Sequence, residues 1–345
     1  MLNESIVYIG EKVGEGNHAG NKARADIDNI LNKRYGESYI NIEQYAYNDL
    51  YHKIKHYAGM IVQYIYIYIL NNRFVIIQYP FYYKSMLKRV LNRMLLKNRV
   101  AVIIHDVDSL RNSGDKNLED EVALLNRAEV IIVHNLKMKK KLVDCGLKAK
   151  CIVLGLFDYL LEDVPKDNRT LGKEIVFAGN LSKSSFLKTE RFSLLNINFN
   201  LYGPNYDAGN ISSRNTKYLG SFRPDAIPYV LKGNFGLIWD GNSTETCSGD
   251  VGYYMKYNNP HKLSLYIAAG LPVIVWREAA IAEFVEKEGI GILVNNLDEI
   301  EKRIDSLDSK DYLMLLNNID RIKSKVLKGS FTMEALIEAE KLLNW

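Results

Sequence analysis

Residues 261–276 read His261-Lys262-Leu263-Ser264-Leu265-Tyr266-Ile267-Ala268-Ala269-Gly270-Leu271-Pro272-Val273-Ile274-Val275-Trp276. The run begins as a helix, Gly270 is the residue type that ends one, and Pro272 stops its continuation. A buried strand follows. Short β-branched runs alternate with helix-compatible stretches in the same way through the whole chain, the pattern of parallel sheets covered on both faces by helices.

Working outward from this unit, one series of strands is expected at 174–178, 198–202, 235–239, 272–276 and 291–294. An earlier series is expected at 6–9, 74–78, 100–105, 130–134 and 151–154. A polar, charged connection from about 158 to 172 separates them. Helices are predicted at 19–34, 119–127, 137–145, 225–232 and 261–269, with a C-terminal pair starting at Lys310 and Thr332. The expected organisation is therefore a first α/β domain at 1–157, a second at 172–328, and a terminal helix at 329–345 that crosses back onto the first. Tyr64, Tyr66 and Tyr68 alternate with Ile65, Ile67 and Ile69, a period of two that favours a strand. Parallel neighbours need a long crossover, and only Asn71, Asn72 and Arg73 precede the next strand, so a helix is predicted.

At 345 residues the chain is long enough for two such domains, and 47% hydrophobic with 25% charged residues is ordinary globular composition. Cys145, Cys151 and Cys247 have neither disulfide-framework nor zinc-ligand spacing, which points to a reducing, cytoplasmic setting without structural metal. The first residues read as the start of a strand rather than a signal peptide, and the apolar run 58–70 is too short to span a membrane. A net charge of +4 without a clustered basic stripe gives no indication of nucleic acid. The segment 83–99 is a basic amphipathic helix, with Lys84, Lys88, Arg89, Arg93, Lys97 and Arg99 among apolar residues. Such a helix reads first as a sheet-covering crossover, which buries one apolar face and solvates the other, with contact at the inner face of a membrane as the alternative.

Four segments could carry chemistry. The loop 10–17, with Gly10, Gly14 and Gly16, precedes a helix near Ala19, but its spacing is not G-x-G-x-x-G. An apolar strand ends in His105-Asp106, and strand carboxyl ends in open parallel sheets face the ligand crevice, so either side chain could take a proton from an attacking hydroxyl. His134 ends another strand without an adjacent acid and reads as structural. Phe177-Ala178-Gly179-Asn180-Leu181-Ser182-Lys183 runs from a strand into a turn that can offer backbone donors and one positive charge to a phosphate. Lys262 sits in the first turn of its helix, where the dipole disfavours a cation, and so suggests a local anion such as a diphosphate.

The stretches 235–240 and 261–275, with Ile104-His105-Asp106-Val107, Ser221-Phe222-Arg223-Pro224-Asp225 and the segment 17–24, resemble bacterial glucosyltransferases of serine-rich adhesin glycans. They also resemble the related galactofuranosyltransferases of polysaccharide clusters. The resemblance covers essentially the whole chain. It implies a GT-B enzyme: two Rossmann-like domains facing a central cleft, with a UDP-sugar bound mainly by the second domain and a glycan, glycolipid or glycoprotein acceptor by the first.

Carried over residue by residue, the resemblance gives Lys262 to the diphosphate and Gly179, Asn180 and Lys183 to the phosphate-facing turn. Arg223, Tyr253 and His261 would lie at the donor wall, and the loop of Gly14, Glu15, Gly16 and Asn17 would close on the sugar. His105 and Asp106 would flank the sugar, with Asp106 or Glu15 as base. Leu265 stands where retaining relatives keep a ribose-binding glutamate, so inversion is expected. Asp106-Val107-Asp108 matches the letters of a metal-binding D-x-D but in the first domain, and no metal or cofactor is expected. A UDP-sugar epimerase, a non-catalytic partner protein, and a homo-oligomer stay open at this level.

Overall fold

The computed structural model describes residues 6–13, 19–36, 39–44, 50–80, 85–112, 115–165, 169–211 and 214–343. Each half of the chain builds a six-stranded sheet. The first contains β1 (Ile6–Val13), β2 (Tyr39–Gln44), β3 (Phe74–Tyr79), β4 (Arg99–Ile104), β5 (Val130–Val133) and β6 (Lys150–Val153), in the order β2-β1-β3-β4-β5-β6. The second contains β7 (Glu174–Ala178), β8 (Asn198–Tyr202), β9 (Thr216–Tyr218), β10 (Phe235–Ile238), β11 (Val273–Trp276) and β12 (Gly291–Val294), in the order β12-β11-β10-β7-β8-β9. All neighbours pair in parallel. Counted from its own first strand, the second sheet has the 3-2-1-4-5-6 order of a Rossmann domain. Its strand order therefore reverses between β7 and β10, and in the first sheet between β1 and β3.

Strand composition explains why both faces are covered. In β1, β3, β4 and β5, alternate residues enter two different cores. Val7, Ile9, Val75, Ile77, Val102 and Ile131 pack on one face, and Ile6, Tyr8, Ile76, Ala101, Ile103 and Ile132 on the other. The helix Ala19–Tyr35 and the terminal helix Ser330–Leu343 close the second of these faces through Ile27, Leu31, Leu336 and Ala339. The terminal helix thus packs on the first sheet, and Tyr35 and Arg34 each bond Glu340 Oε1 at 2.7 Å.

Several elements differ from expectation. β2 and β9 are edge strands that the sequence reading passes over, and the helix expected at 225–232 shortens to Ile227–Val230. Residues 64–69, by contrast, form the helix expected of them, as part of Leu50–Ile69. The connection after 157 is polar in sequence yet partly packed: Phe157, Asp158 and Tyr159 are all buried, and the Tyr159 hydroxyl donates to Pro224 O at 2.5 Å.

Asp158 receives the first N–H groups of the terminal helix, from Phe331 at 3.2 Å and Thr332 at 2.8 Å. Burial outweighs these bonds and pushes its carboxyl up from 3.8 to about 7. A folded-state pKa above the unfolded one gives stability that is complete below the unfolded value and is lost as pH rises through about 7. Asp158→Asn removes the titration. It is expected to melt above the parent near about pH 8, with the advantage shrinking as pH falls through about 5 and gone below about pH 4, as thermal scans across this range would read directly.

Candidate active site

The carboxyl ends of β7 and β10 meet where the strand order of the second sheet reverses, the place at which open α/β sheets take ligands. The helix His261–Ala268 starts here behind Pro260, with no side chain capping its first N–H groups. Lys262 in its first turn donates to Trp239 O at 3.2 Å and to Asp240 Oδ1 at 3.0 Å, just beyond β10. Its ammonium also lies 4.6 Å from the centre of the Phe177 ring in β7. Gly179, directly after β7, leaves room for this arm: a Cβ there would stand 3.1 Å from Lys262 Cε. Gly203, after β8, has φ +134, and a Cβ on it would fall 1.8 Å from Gly179 O, so the two turns interlock at a position that must be glycine. The second domain thereby presents a lysine, an uncapped helix start and a close-packed glycine turn at one point, a set that can neutralise and hydrogen-bond an anion.

The remaining residues expected around this point are distributed unevenly. Asn180 organises the turn, its Oδ1 accepting from Ser182 N, Ser182 Oγ and Asn205 Nδ2 at 3.2, 2.8 and 3.1 Å. Lys183 and Arg223 are exposed, and neither is joined to Lys262 by a hydrogen bond among the described residues. The Tyr253 hydroxyl lies 3.1 Å from that of Tyr257 and 3.5 Å from Asp115 Oδ2 of the first domain. The His261 ring stacks on Tyr159 at 5.0 Å and meets Phe157 edge-on, against the connection between domains, and burial lowers its pKa to about 4. Gly14, Glu15, Gly16 and Asn17 lie outside the described residues.

Across from this point, β4 ends in His105 and Asp106. The ring of His105 stacks on Phe157 at 5.4 Å and its Nε2 contacts Gln78 Oε1. Gln78, buried in β3, was not anticipated, although a lone amide in the apolar strand Phe74-Val75-Ile76-Ile77-Gln78 was a readable signal. It settles the imidazole tautomer. The Asp28 carboxylate accepts from Gln78 Nε2 at 2.5 Å and from the Tyr8 hydroxyl, so the amide NH2 must face Asp28 and the amide oxygen must face His105. Nε2 of His105 therefore carries the proton and Nδ1 the lone pair. Burial, then the neighbouring Arg24, holds the His105 pKa well below 6.5, so the ring is neutral at pH 7. Gln78→Leu would leave His105 Nε2–H and Asp28 each without this partner. It is expected to cost about 1–3 kcal/mol of stability in urea unfolding and to let both His105 tautomers appear in nitrogen NMR.

Asp106 is paired with Arg111 and accepts from the Tyr254 hydroxyl, which also receives Val107 N–H at 3.0 Å. Burial raises its pKa and Arg111 opposes the rise. Tyr254 comes from the second domain yet is packed in the core of the first. Nearby, His134 Nε2 faces Ile104 O at 3.1 Å while its Nδ1 accepts from Asn259 N at 3.0 Å. Asn259 also donates to His134 O and Gly155 O, at 2.9 and 2.8 Å. His134 is thus neutral, with a pKa lowered by burial to about 4, and latches the domains together. The run 253–261 therefore mainly joins the domains, and the strand-end pair of the first domain is held beside this joint. Among the described residues, no three His, Cys, Asp or Glu side chains are grouped so as to hold a metal ion.

Comparison with known proteins supplies a frame for this geometry. The family model described as the glucosyltransferase 3-like N-terminal domain matches residues 7–156, and that of the glucosyltransferase 3-like C-terminal domain matches 175–339. The chain is 38% identical to the beta-1,6-galactofuranosyltransferase WbbI of Escherichia coli over 250 residues, covering 71% of this chain and 72% of the relative. It is 29% identical to glucosyltransferase 3 of Streptococcus parasanguinis over 258 residues, covering 73% of each. Among solved structures, HepE of Anabaena in complex with UDP superposes with a TM-score of 0.60 at 14% identity, covering 99% of this chain and 100% of the other. The lipopolysaccharide outer core galactosyltransferase WaaB superposes with 0.57 at 12% identity, covering 97% and 99%. The two parallel-sheet domains are those of the GT-B fold.

Proposed function

The chain belongs to the glucosyltransferase 3-like family of glycosyltransferases, and from that premise we propose that it transfers a hexosyl group from a UDP-sugar to a hydroxyl of a glycan, glycolipid or glycoprotein without a metal ion. The observation that carries the reading is the convergence of Lys262, the uncapped start of its helix and the Gly179 turn at the β7/β10 reversal. In this reading the diphosphate lies there. Lys262 exchanges its bond to Asp240 for a phosphate oxygen, and the helix N–H groups supply further donors. UDP leaves with its charge met by these groups.

The acceptor lies in the first domain, against the end of β4. Its hydroxyl oxygen attacks the anomeric carbon, the bond from that carbon to the UDP oxygen breaks, and the hydroxyl proton passes to a base. Asp106 takes that role in our reading, because burial moves its pKa upward while Arg111 keeps the carboxylate oriented. His105, neutral and with its Nδ1 lone pair fixed by Gln78, accepts a hydroxyl of the sugar or acceptor. The beta linkage in the name of the E. coli relative is what inversion at an α-configured nucleotide sugar yields, and we read this chain likewise as inverting. Hexose identity, glucose or galactofuranose, follows the two relatives' names.

Chromatography of reactions run with and without a glycan acceptor tests this reading. A transferase yields UDP and an extended glycan. A second UDP-sugar formed without any UDP would replace the proposal by an epimerase.

A further inference from the structure

The helix Leu50–Ile69 is apolar on both sides. Its inner side, with Tyr64, Ile67 and Leu70 just beyond its end, packs into the core of the first domain. A helix apolar all round is normally buried all round, yet the outer half of this one is bare. Nine of the nineteen exposed large apolar side chains among the described residues belong to it, including Ile54, Ile61, Val62, Ile65, Tyr68 and Ile69. Ile54, Ile61 and Ile65 are each at least half exposed and follow one another at helical spacing, so they form a continuous stripe. Its 20 residues extend about 30 Å.

Charge decides what this stripe faces. The helix Ser85–Lys97 packs beside it, with the Arg93 guanidinium 4.4 Å from the centre of the Tyr68 ring. Together the two helices contain Lys53, Lys55, Lys88, Arg89, Arg93 and Lys97 and not one Asp or Glu. Arg89, Arg93 and Lys97 are exposed. A second copy of the same surface would oppose cation to cation with no acid to pair them. A surface that is apolar and aromatic along its crest, with basic and no acidic residues on its two helices, matches an anionic bilayer, which takes apolar groups below its headgroups and attracts cations to them. No helix among the described residues is long and apolar enough to cross a membrane, and this one is held to the sheet along its inner side, so it would lie flat.

We propose that the outer face of the Leu50–Ile69 helix, with the basic residues of Ser85–Lys97, docks the first domain on anionic phospholipid. The surface is separate from the residues argued to bind donor and acceptor, so this inference stands whether or not the transferase reading does.

The test is flotation of the full chain with vesicles of phosphatidylglycerol in phosphatidylcholine, and with phosphatidylcholine alone, in the absence of any nucleotide sugar. Binding is expected to the anionic vesicles, to weaken in high salt, and to fall by about tenfold or more in an Ile61→Gln, Ile65→Gln double variant. Because both side chains point outward, the variant should keep the parent's melting temperature and its UDP release in vesicle-free solution. Parent and variant floating equally, or neither floating, would overturn the proposal. So would light scattering in which the double variant turns a parent multimer into a monomer while vesicle binding stays unchanged, since the face would then belong to a second copy.

Discussion

Lys262→Ala is expected to weaken UDP binding by about 10- to 100-fold in calorimetry, because a charge-assisted hydrogen bond contributes roughly 1.5–3 kcal/mol and each 1.4 kcal/mol is tenfold. The side chain is 14% exposed and already holds Asp240 at 3.0 Å, so its removal acts in two ways. The phosphate loses a donor, and the Asp240 carboxylate is left uncompensated beside it. Combining Lys262→Ala with Asp240→Asn separates them. If the lysine touches phosphate, the double variant still binds UDP at least about tenfold more weakly than Asp240→Asn alone. If neutralising Asp240 was its whole task, the two bind alike and the diphosphate assignment fails.

The second large effect concerns the end of β4. Asp106→Asn keeps the size of the side chain and an oxygen able to accept from Tyr254 but removes the base. Turnover is expected to fall by about 10²- to 10⁴-fold, the usual contribution of general base catalysis, with UDP affinity unchanged. The variant also loses the pairing with Arg111, so its melting temperature must accompany the rate. An intact fold with near-normal turnover would remove Asp106 as base and direct attention to Glu15, for which Glu15→Gln is the matching variant.

The parts of this account legible in the sequence are those written locally. The helix, Gly270, Pro272 and strand of 261–276 report their own conformations. The β-branched runs of both sheets do the same, because a strand buried on two faces is apolar at successive positions. The alternation of tyrosine and isoleucine at 64–69 pointed the other way. That helix is apolar on its outer as well as its inner face, so its 3.6-residue period is erased, and only the length needed for a parallel crossover identified it. β9 spans three residues at a sheet edge, Thr216-Lys217-Tyr218, and has no pattern to read.

For the site, Lys262 and Gly179 could be singled out because a cation at a helix start and a glycine after a strand are each odd in their own surroundings. The interdomain contacts of Tyr253 and His261 could not be read from the sequence. Their partners, Asp115 for the first and Tyr159 with Phe157 for the second, stand about a hundred or more positions away and belong to the joint between domains. The same distance hid Tyr254, whose hydroxyl at the end of β4 links the proposed base to the second domain.

The measurement that bears most directly on the central claim is UDP release from a panel of UDP-sugars, UDP-glucose and UDP-galactofuranose among them, with glycan acceptors and EDTA present throughout. The account predicts release from one donor despite EDTA, and its loss in Asp106→Asn. Silence with every donor, together with absence of UDP binding, would contradict a transferase and leave a GT-B chain that serves as a non-catalytic partner; release that EDTA abolishes would contradict the metal-independent mechanism.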